Sequence, residues 1–225
     1  KLKIKNKKKN LLNKMNNPKH FYVDYTDKTT IDPELTKKYK SIIEKYISLE
    51  NKDILDLGCG TGRLAIHLSK FVNHWYGIDP DPESIKLAKE NIQNLSLEDR
   101  VTFKVGKFAD IPFDQEFDII ISSNSLHFEE NKEDAFENVY NSLKSDGYFI
   151  IFEPTPTPQG WVSDKLNKDS SNFNSTFFER KVEALTNSYT AIKSQDLFKI
   201  MDEVMPKTNG NFQGNQYYAI LRKVK

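Results

Sequence analysis

Nine residues, Ile54 to Gly62, read ILDLGCGTG: an apolar run ends in an acid, Asp56, and glycine then recurs at every second position, at Gly58, Gly60 and Gly62. Glycine has no Cβ and tolerates positive φ, so such a turn can fold tightly and let a ligand lie against bare backbone. Asp79 closes a second apolar run, WYGID, where a carboxylate can accept hydrogen bonds from both hydroxyls of a ribose. Together these residues describe a site for a nucleoside-like cofactor. A nicotinamide fingerprint, G-x-G-x-x-G, would need glycine at the position of Arg63.

His127, in SNSLHF, is the candidate general base, because an imidazole titrates in the range useful for proton transfer. The same histidine also reads as a side chain that hydrogen-bonds neighbouring backbone and shapes the pocket. Cys59 is the sole cysteine, which excludes an internal disulfide and fits a reducing compartment. Inside the glycine turn its small size is reason enough for it, without a nucleophilic role. His67 and His74 lack matched cysteines or acids, so no metal site is expected. Phe21, Tyr22 and Tyr25 read either as an N-terminal lid or as packing for the first helix, and Trp161 as an acceptor contact or ordinary lid packing.

The elements that must position these groups alternate in period. Leu35, Tyr39, Ile42, Ile43 and Tyr46 fall at helical spacing, and Asp53 to Leu57 is short and apolar like a strand buried on both faces. Helix Thr61 to Val72, strand Trp75 to Ile78 and helix Glu83 to Ile92 follow, the last with Asp81 and Pro82 as N-cap and first helical residue. Further strands are expected at Val101 to Val105, Phe117 to Ser122, Tyr148 to Phe152 and Gln216 to Val224, with a helix over Asn131 to Leu143. From Pro154 to about Ala191 periodicity fails, apart from a possible helix around Glu179 to Leu185, so 154–191 is expected to be a lid or acceptor-binding insertion. Leu197, Ile200, Met201 and Val204 predict a helix over Ser194 to Val204.

Strands alternating with helices build a doubly wound, mainly parallel sheet with helices on both faces, an α/β fold. Ligands in such sheets sit beyond the strand C-termini, so the segments after Leu57, Ile78, Val105, Ser122 and Phe152 should share one rim. The length of 225 residues suits one such domain, here 20–225, behind a flexible basic leader, 1–19. That leader holds eight lysines and no acid, leaving 25 bases against 32 acids in the remainder. An acidic body argues against a nucleic-acid-binding face, and no apolar stretch is long enough for a membrane span. A cytoplasmic location follows as the default expectation; the oligomeric state is not specified.

DILDLGCGTGRLA resembles the first motif of class I S-adenosylmethionine-dependent methyltransferases, and YGIDPDPESIKLAKEN their second. VTFKVGKFADIPF, FDIIISSNSLHF and LKSDGYFIIFEPT continue the resemblance in family order, from about Asp53 to Pro154. It implies a Rossmann-like methyltransferase fold of seven strands, with S-adenosylmethionine as cofactor. It further implies that Gly58, Cys59, Gly60 and Gly62 approach the methionine moiety while Asp56 orients its ammonium. Asp79 would hold the ribose diol, with Pro80 and Asp81 flanking the ribose or adenine. Gly106 and Phe108 would meet the adenine edge, and Asn124 would line the cofactor near its sulfonium.

One position departs from the pattern. Many relatives carry an acid after the glycine of the third motif, and here Gly106 is followed by Lys107, which cannot accept a hydrogen bond from the adenine amine. Backbone atoms or Asp110 would take over, or adenine would be held by packing against Phe108 and Ile111. Methyl transfer needs chiefly alignment and exclusion of water, and a base only when the acceptor arrives protonated. SNSLHF replaces the N/D-P-P-Y/F element usual in amino methylation of bases, and no cysteine is free for cytosine C5 chemistry. SNSLHF is similar to the segment after the fourth strand in small-molecule methyltransferases, and that resemblance implies methylation of an oxygen or nitrogen of a small molecule. A protein or tRNA acceptor, or a non-catalytic S-adenosylmethionine-binding partner protein, are the other readings.

Overall fold

Buried strands need apolar side chains on both faces, and the alternation along Ile54–Leu57 and Ile119–Ile121 distributes theirs between two layers. The computed structural model describes residues 33–111, 114–154, 175–204 and 216–224. In chain order the elements are α1 (Pro33–Ile43), β1 (Asp53–Leu57), α2 (Arg63–Leu68), β2 (His74–Asp79), α3 (Pro82–Asn94) and β3 (Val101–Val105). Then come β4 (Phe117–Ser123), α4 (Lys132–Ser142), β5 (Leu143–Pro154), α5 (Ser175–Ser194), β6 (Phe198–Val204) and β7 (Gln216–Lys223). Short 3-10 turns follow α2, β3 and β4, at Ser69–Phe71, Phe108–Asp110 and Leu126–Phe128.

The seven strands lie in the order β3-β2-β1-β4-β5-β7-β6. β1 to β5 are parallel to their neighbours, and β7 runs antiparallel between β5 and β6. Sequence order reverses between β1 and β4, which makes their C-terminal ends the switch point where such sheets bind ligands. One layer packs Tyr39 and Ile43 of α1, Leu64 and Leu68 of α2 and Ile85 and Ile92 of α3 on the sheet. The opposite layer packs Phe136 and Val139 of α4 and Leu185 and Ile192 of α5. Asp81 caps α3 as expected, its Oδ2 accepting from Ser84 N at 3.1 Å, and Asn131 caps α4.

One expected helix is a strand. The helix expected over Ser194 to Val204 is strand β6, paired with β7. A register shift between Ile200 and Asp202 explains the misleading spacing: Phe198 and Ile200 pack on the α4–α5 layer, and Met201 on the other. One extra residue in a period of two brings apolar side chains to near-helical spacing, and the ladder with β7 overrides it. The helix expected around Glu179 to Leu185 falls inside the longer helix α5, whose buried stripe Leu185, Ser188, Tyr189 and Ile192 contains a serine and so shortens the apolar count. Residues 155–174, with Trp161, and residues 1–32, with Phe21, Tyr22 and Tyr25, lie outside the described residues.

Two expected helices are also shorter. α2 stops at Leu68 in a 3-10 turn, and α1 ends at Ile43. Tyr46, beyond α1, hydrogen-bonds Asp202 of β6, which also accepts from Tyr218 of β7 at 3.1 Å. The segment before β1 is thus fastened to the far edge of the sheet.

Candidate functional site

The strand ends predicted to share a rim do so, and the glycine turn is its centre. Gly58 N and Cys59 N both donate to Ile78 O, at 2.8 and 3.0 Å, which lashes the end of β1 to the end of β2. Gly58, Gly60 and Gly62 have φ of 71°, 54° and 82°, the left-handed region that other residues enter at a cost. A Cβ on Gly58 would stand 2.3 Å from Ser125 Cβ, and one on Gly62 2.7 Å from Phe103 Cζ. At Gly60 no atom lies within 4 Å of that position. Two glycines thus make room for the protein itself, and the middle one faces open space.

The two acids sit on either side of this turn. Asp56, 1% exposed, projects toward the α1–α3 layer, and its Oδ2 has no hydrogen-bond partner. Burial pushes its carboxyl up to about 7, while the Arg63 guanidinium opposes the rise and the Asp79 charge adds to it. The Trp75 indole also draws it down, though Nε1 falls outside hydrogen-bonding geometry. Asp79 Oδ2 accepts from Gly60 N and Oδ1 from Asp81 N, both at 2.9 Å. Burial raises its pKa, and the two backbone donors restrain the rise.

The remaining predicted residues gather on the same rim. Gly106 N donates to Asp79 O at 3.1 Å, and Phe108 is buried in the 3-10 turn beyond β3. Asn138 Nδ2 donates to Phe108 O at 3.3 Å and Ala109 O at 3.2 Å, fixing that turn from α4. Asn124, with φ of 58°, donates from its backbone to Phe152 O at 2.7 Å. Pro80 and Lys107 are exposed. Burial drives the Cys59 thiol well above its ordinary range, so the thiolate needed of a nucleophile is disfavoured.

His127 lies beyond the end of β4, but its ring is buried, with 1% of the side chain exposed. Nδ1 is 2.6 Å from Glu153 Oε2, and the His127 backbone N–H donates to Oε1 at 3.3 Å. A carboxylate accepts, so Nδ1 carries the proton and donates, leaving the lone pair of the neutral ring on Nε2. Nε2 is buried and has no partner. Glu153 is itself fully buried, and its charge adds to the effect of burial in raising the phenols of Tyr189 and Tyr217.

Sequence reasoning missed Glu153, Ser125, Tyr39 and Arg63. Ser125 donates from Oγ to Leu57 O at 2.6 Å and fills the space that Gly58 leaves. Tyr39 stacks on Phe152 with ring centres 3.8 Å apart, and the Arg63 guanidinium carbon lies 5.8 Å from the Tyr39 ring centre. Only Glu153 carried a local signal, a lone acid ending the apolar run YFIIF.

A family model described as a methyltransferase domain matches residues 48–224. The chain belongs to the class I S-adenosylmethionine-dependent methyltransferases. It is 29% identical over 160 residues to an uncharacterized methyltransferase of Staphylococcus carnosus, covering 69% of this chain and 72% of that one. It is 26% identical over 151 residues to the sterol 4-C-methyltransferase strm-1 of Caenorhabditis elegans, covering 67% of this chain but 44% of the nematode protein, less than half its length. The fold matches a structure described as an S-adenosyl-L-methionine-dependent methyltransferase from Methanococcus maripaludis. There the TM-score is 0.67 at 21% identity, covering 90% of this chain and 91% of the other. No described helix is long and apolar enough to cross a membrane.

Proposed function

We propose that this methyltransferase acts on an oxygen or nitrogen of a small molecule, and that His127 receives the proton that acceptor gives up. The observation carrying this reading is the buried, unpartnered Nε2 of His127, opposite the Nδ1 that Glu153 holds. A buried acceptor atom left without a donor costs about 1–3 kcal/mol, and an O–H or N–H of the acceptor would supply the missing partner.

The rim fits S-adenosylmethionine. Asp56 Oδ2, buried and unsatisfied, suits the ammonium, and the open space at Gly60 admits the methionine chain against backbone. Each oxygen of Asp79 spends one lone pair on a backbone N–H and keeps another for a ribose hydroxyl. Phe108 would pack against the adenine, and Gly58, Cys59, Gly62, Pro80, Gly106 and Asn124 would complete the cradle. Bound there, the cofactor supplies a methyl on a sulfonium with an excellent leaving group. The protein's share is alignment and removal of water, and Glu153 keeps His127 in the tautomer that accepts a proton.

The test follows S-adenosylhomocysteine release with phenol, carboxylate and amine acceptors. His127→Ala and Glu153→Gln should lower turnover at least tenfold and leave cofactor Kd within about threefold. Equal loss of both would make the pair a purely structural pin.

A further inference from the structure

The rim beyond β4 carries one large apolar side chain in the open. Leu126 and His127 of the 3-10 turn Leu126–Phe128 are buried, whereas Phe128 keeps 49% of its surface exposed. Its ring centre lies 3.9 Å from that of His127, the two planes tilted by 43°. A half-exposed aromatic ring thus stands directly against the imidazole whose Nε2 has no partner. Leaving such a ring half in water forgoes apolar burial, and its place beside an unpaired polar atom suits a ligand that is apolar in body and polar at one edge.

The charges nearby narrow the class. Glu129 and Glu130 follow Phe128, and Glu133 and Asp134 lie in the first turn of α4, with Lys132 the one cation in that run. The Lys132 ammonium donates to Glu129 O at 2.5 Å. Burial raises the Glu129 carboxyl, and the charges of Lys132 and Lys107 oppose that rise without reversing it. A carboxylate acceptor would meet repulsion from this acidic segment, so a neutral ring bearing the reactive atom fits better.

We infer that Phe128 is the platform on which the acceptor rests, and that this acceptor is a neutral aromatic ring bearing a hydroxyl, a phenol. The inference rests on the proposed reading of His127 as the group that receives the acceptor's proton. Aromatic pairs favour offset-stacked or edge-to-face contact, and a phenol so placed on Phe128 brings its O–H beside the ring whose Nε2 lacks a donor. The O–H proton then passes to Nε2 while the oxygen bonds to the methyl carbon, the carbon–sulfur bond breaking toward sulfur. An aryl methyl ether and S-adenosylhomocysteine are the products.

Calorimetry on the full chain saturated with S-adenosylhomocysteine compares three probes: 4-methylphenol, 4-methylcyclohexanol, which has the same outline without a π face, and benzoate, which is aromatic but anionic. Wild type should bind the phenol about 3- to 10-fold more tightly than the cyclohexanol, the scale of one aromatic pair, and benzoate more weakly than the phenol. Phe128→Leu should erase the preference for the phenol and Phe128→Tyr should keep it, while S-adenosylhomocysteine Kd stays within about threefold in both. Formation of the methyl ether from 4-methylphenol should fall in parallel in Phe128→Leu. No preference for the phenol in wild type would overturn the inference, as would a preference that survives Phe128→Leu or tighter binding of benzoate. Methylation of amines with no phenol accepted would overturn it too and leave the role of His127 standing. Phenol turnover indifferent to His127→Ala would instead remove the reading on which the inference rests.

Discussion

Asp79 Oδ2 accepts a hydrogen bond from Gly60 N at 2.9 Å, so the carboxylate expected to hold the ribose also holds the centre of the glycine turn. Binding and shaping therefore reside in one side chain. Asp79→Ala should weaken S-adenosylhomocysteine binding by about 100-fold, because hydroxyl contacts and turn geometry are lost together. Asp79→Asn should fall between, since an amide keeps one acceptor oxygen and turns donors toward groups that themselves donate. Calorimetric Kd values on the three proteins give the order; an Asn variant equal to wild type would deny the turn-holding role.

Gly58 and Gly60 should fail in different ways. Gly58→Ala forces a Cβ into Ser125 at positive φ, and should cost roughly 2–4 kcal/mol of stability, with partial recovery on adding Ser125→Gly. Gly60→Ala meets no atom, so its stability loss should be confined to about 1 kcal/mol of backbone strain while cofactor affinity drops at least tenfold. Thermal melts beside binding isotherms separate the two.

Cofactor affinity should depend on pH through Asp56. Its carboxyl is pushed up to about 7 by burial, and an ammonium requires the ionised form. Below pH 7 binding must first release a proton, so affinity should fall by as much as tenfold per pH unit and level off above about pH 8. Titrations of S-adenosylhomocysteine from pH 5.5 upward test this, as does a buffer-dependent binding enthalpy that reports the proton. Asp56→Asn should bind weakly and without this slope.

The fastening of Tyr46 should be visible by spectroscopy. Its hydroxyl is pushed up to about 12, first by its hydrogen bond to Asp202, then by burial and by the charge of that carboxylate. Asp202→Asn should let one tyrosine ionise nearer its ordinary value in an ultraviolet titration, with a stability loss of about 1–2 kcal/mol. An unchanged tyrosine titration would mean that the bond to Asp202 does not govern Tyr46.

Features carried by neighbouring residues were legible in the sequence: the glycine turn, Asp56 and Asp79 at strand ends, the Asp81 cap and the five parallel strands. Pairs made by the sheet were not. Glu153 reaches His127 from 26 residues away, and Tyr39 meets Phe152 only because β4 and β5 bring that rim beneath α1. β6 was misread because a bulge imitates helical spacing, and only part of α5 was legible because Ser188 interrupts its apolar stripe. His127 was found for its chemistry, and its burial and its tie to Glu153 could not be seen without the packing of β5.

The position of β7 between β5 and β6 has a consequence for how the protein is made. Tyr217, Ala219, Ile220 and Leu221 are wholly buried, and the strand that carries them follows the other six described strands in the chain. Without β7, Phe149 to Phe152 form an open apolar edge and β6 has no sheet to join. Fusions or truncations that strain the stretch around Ile220 should therefore surface as aggregation during expression before any loss of methyl transfer can be measured.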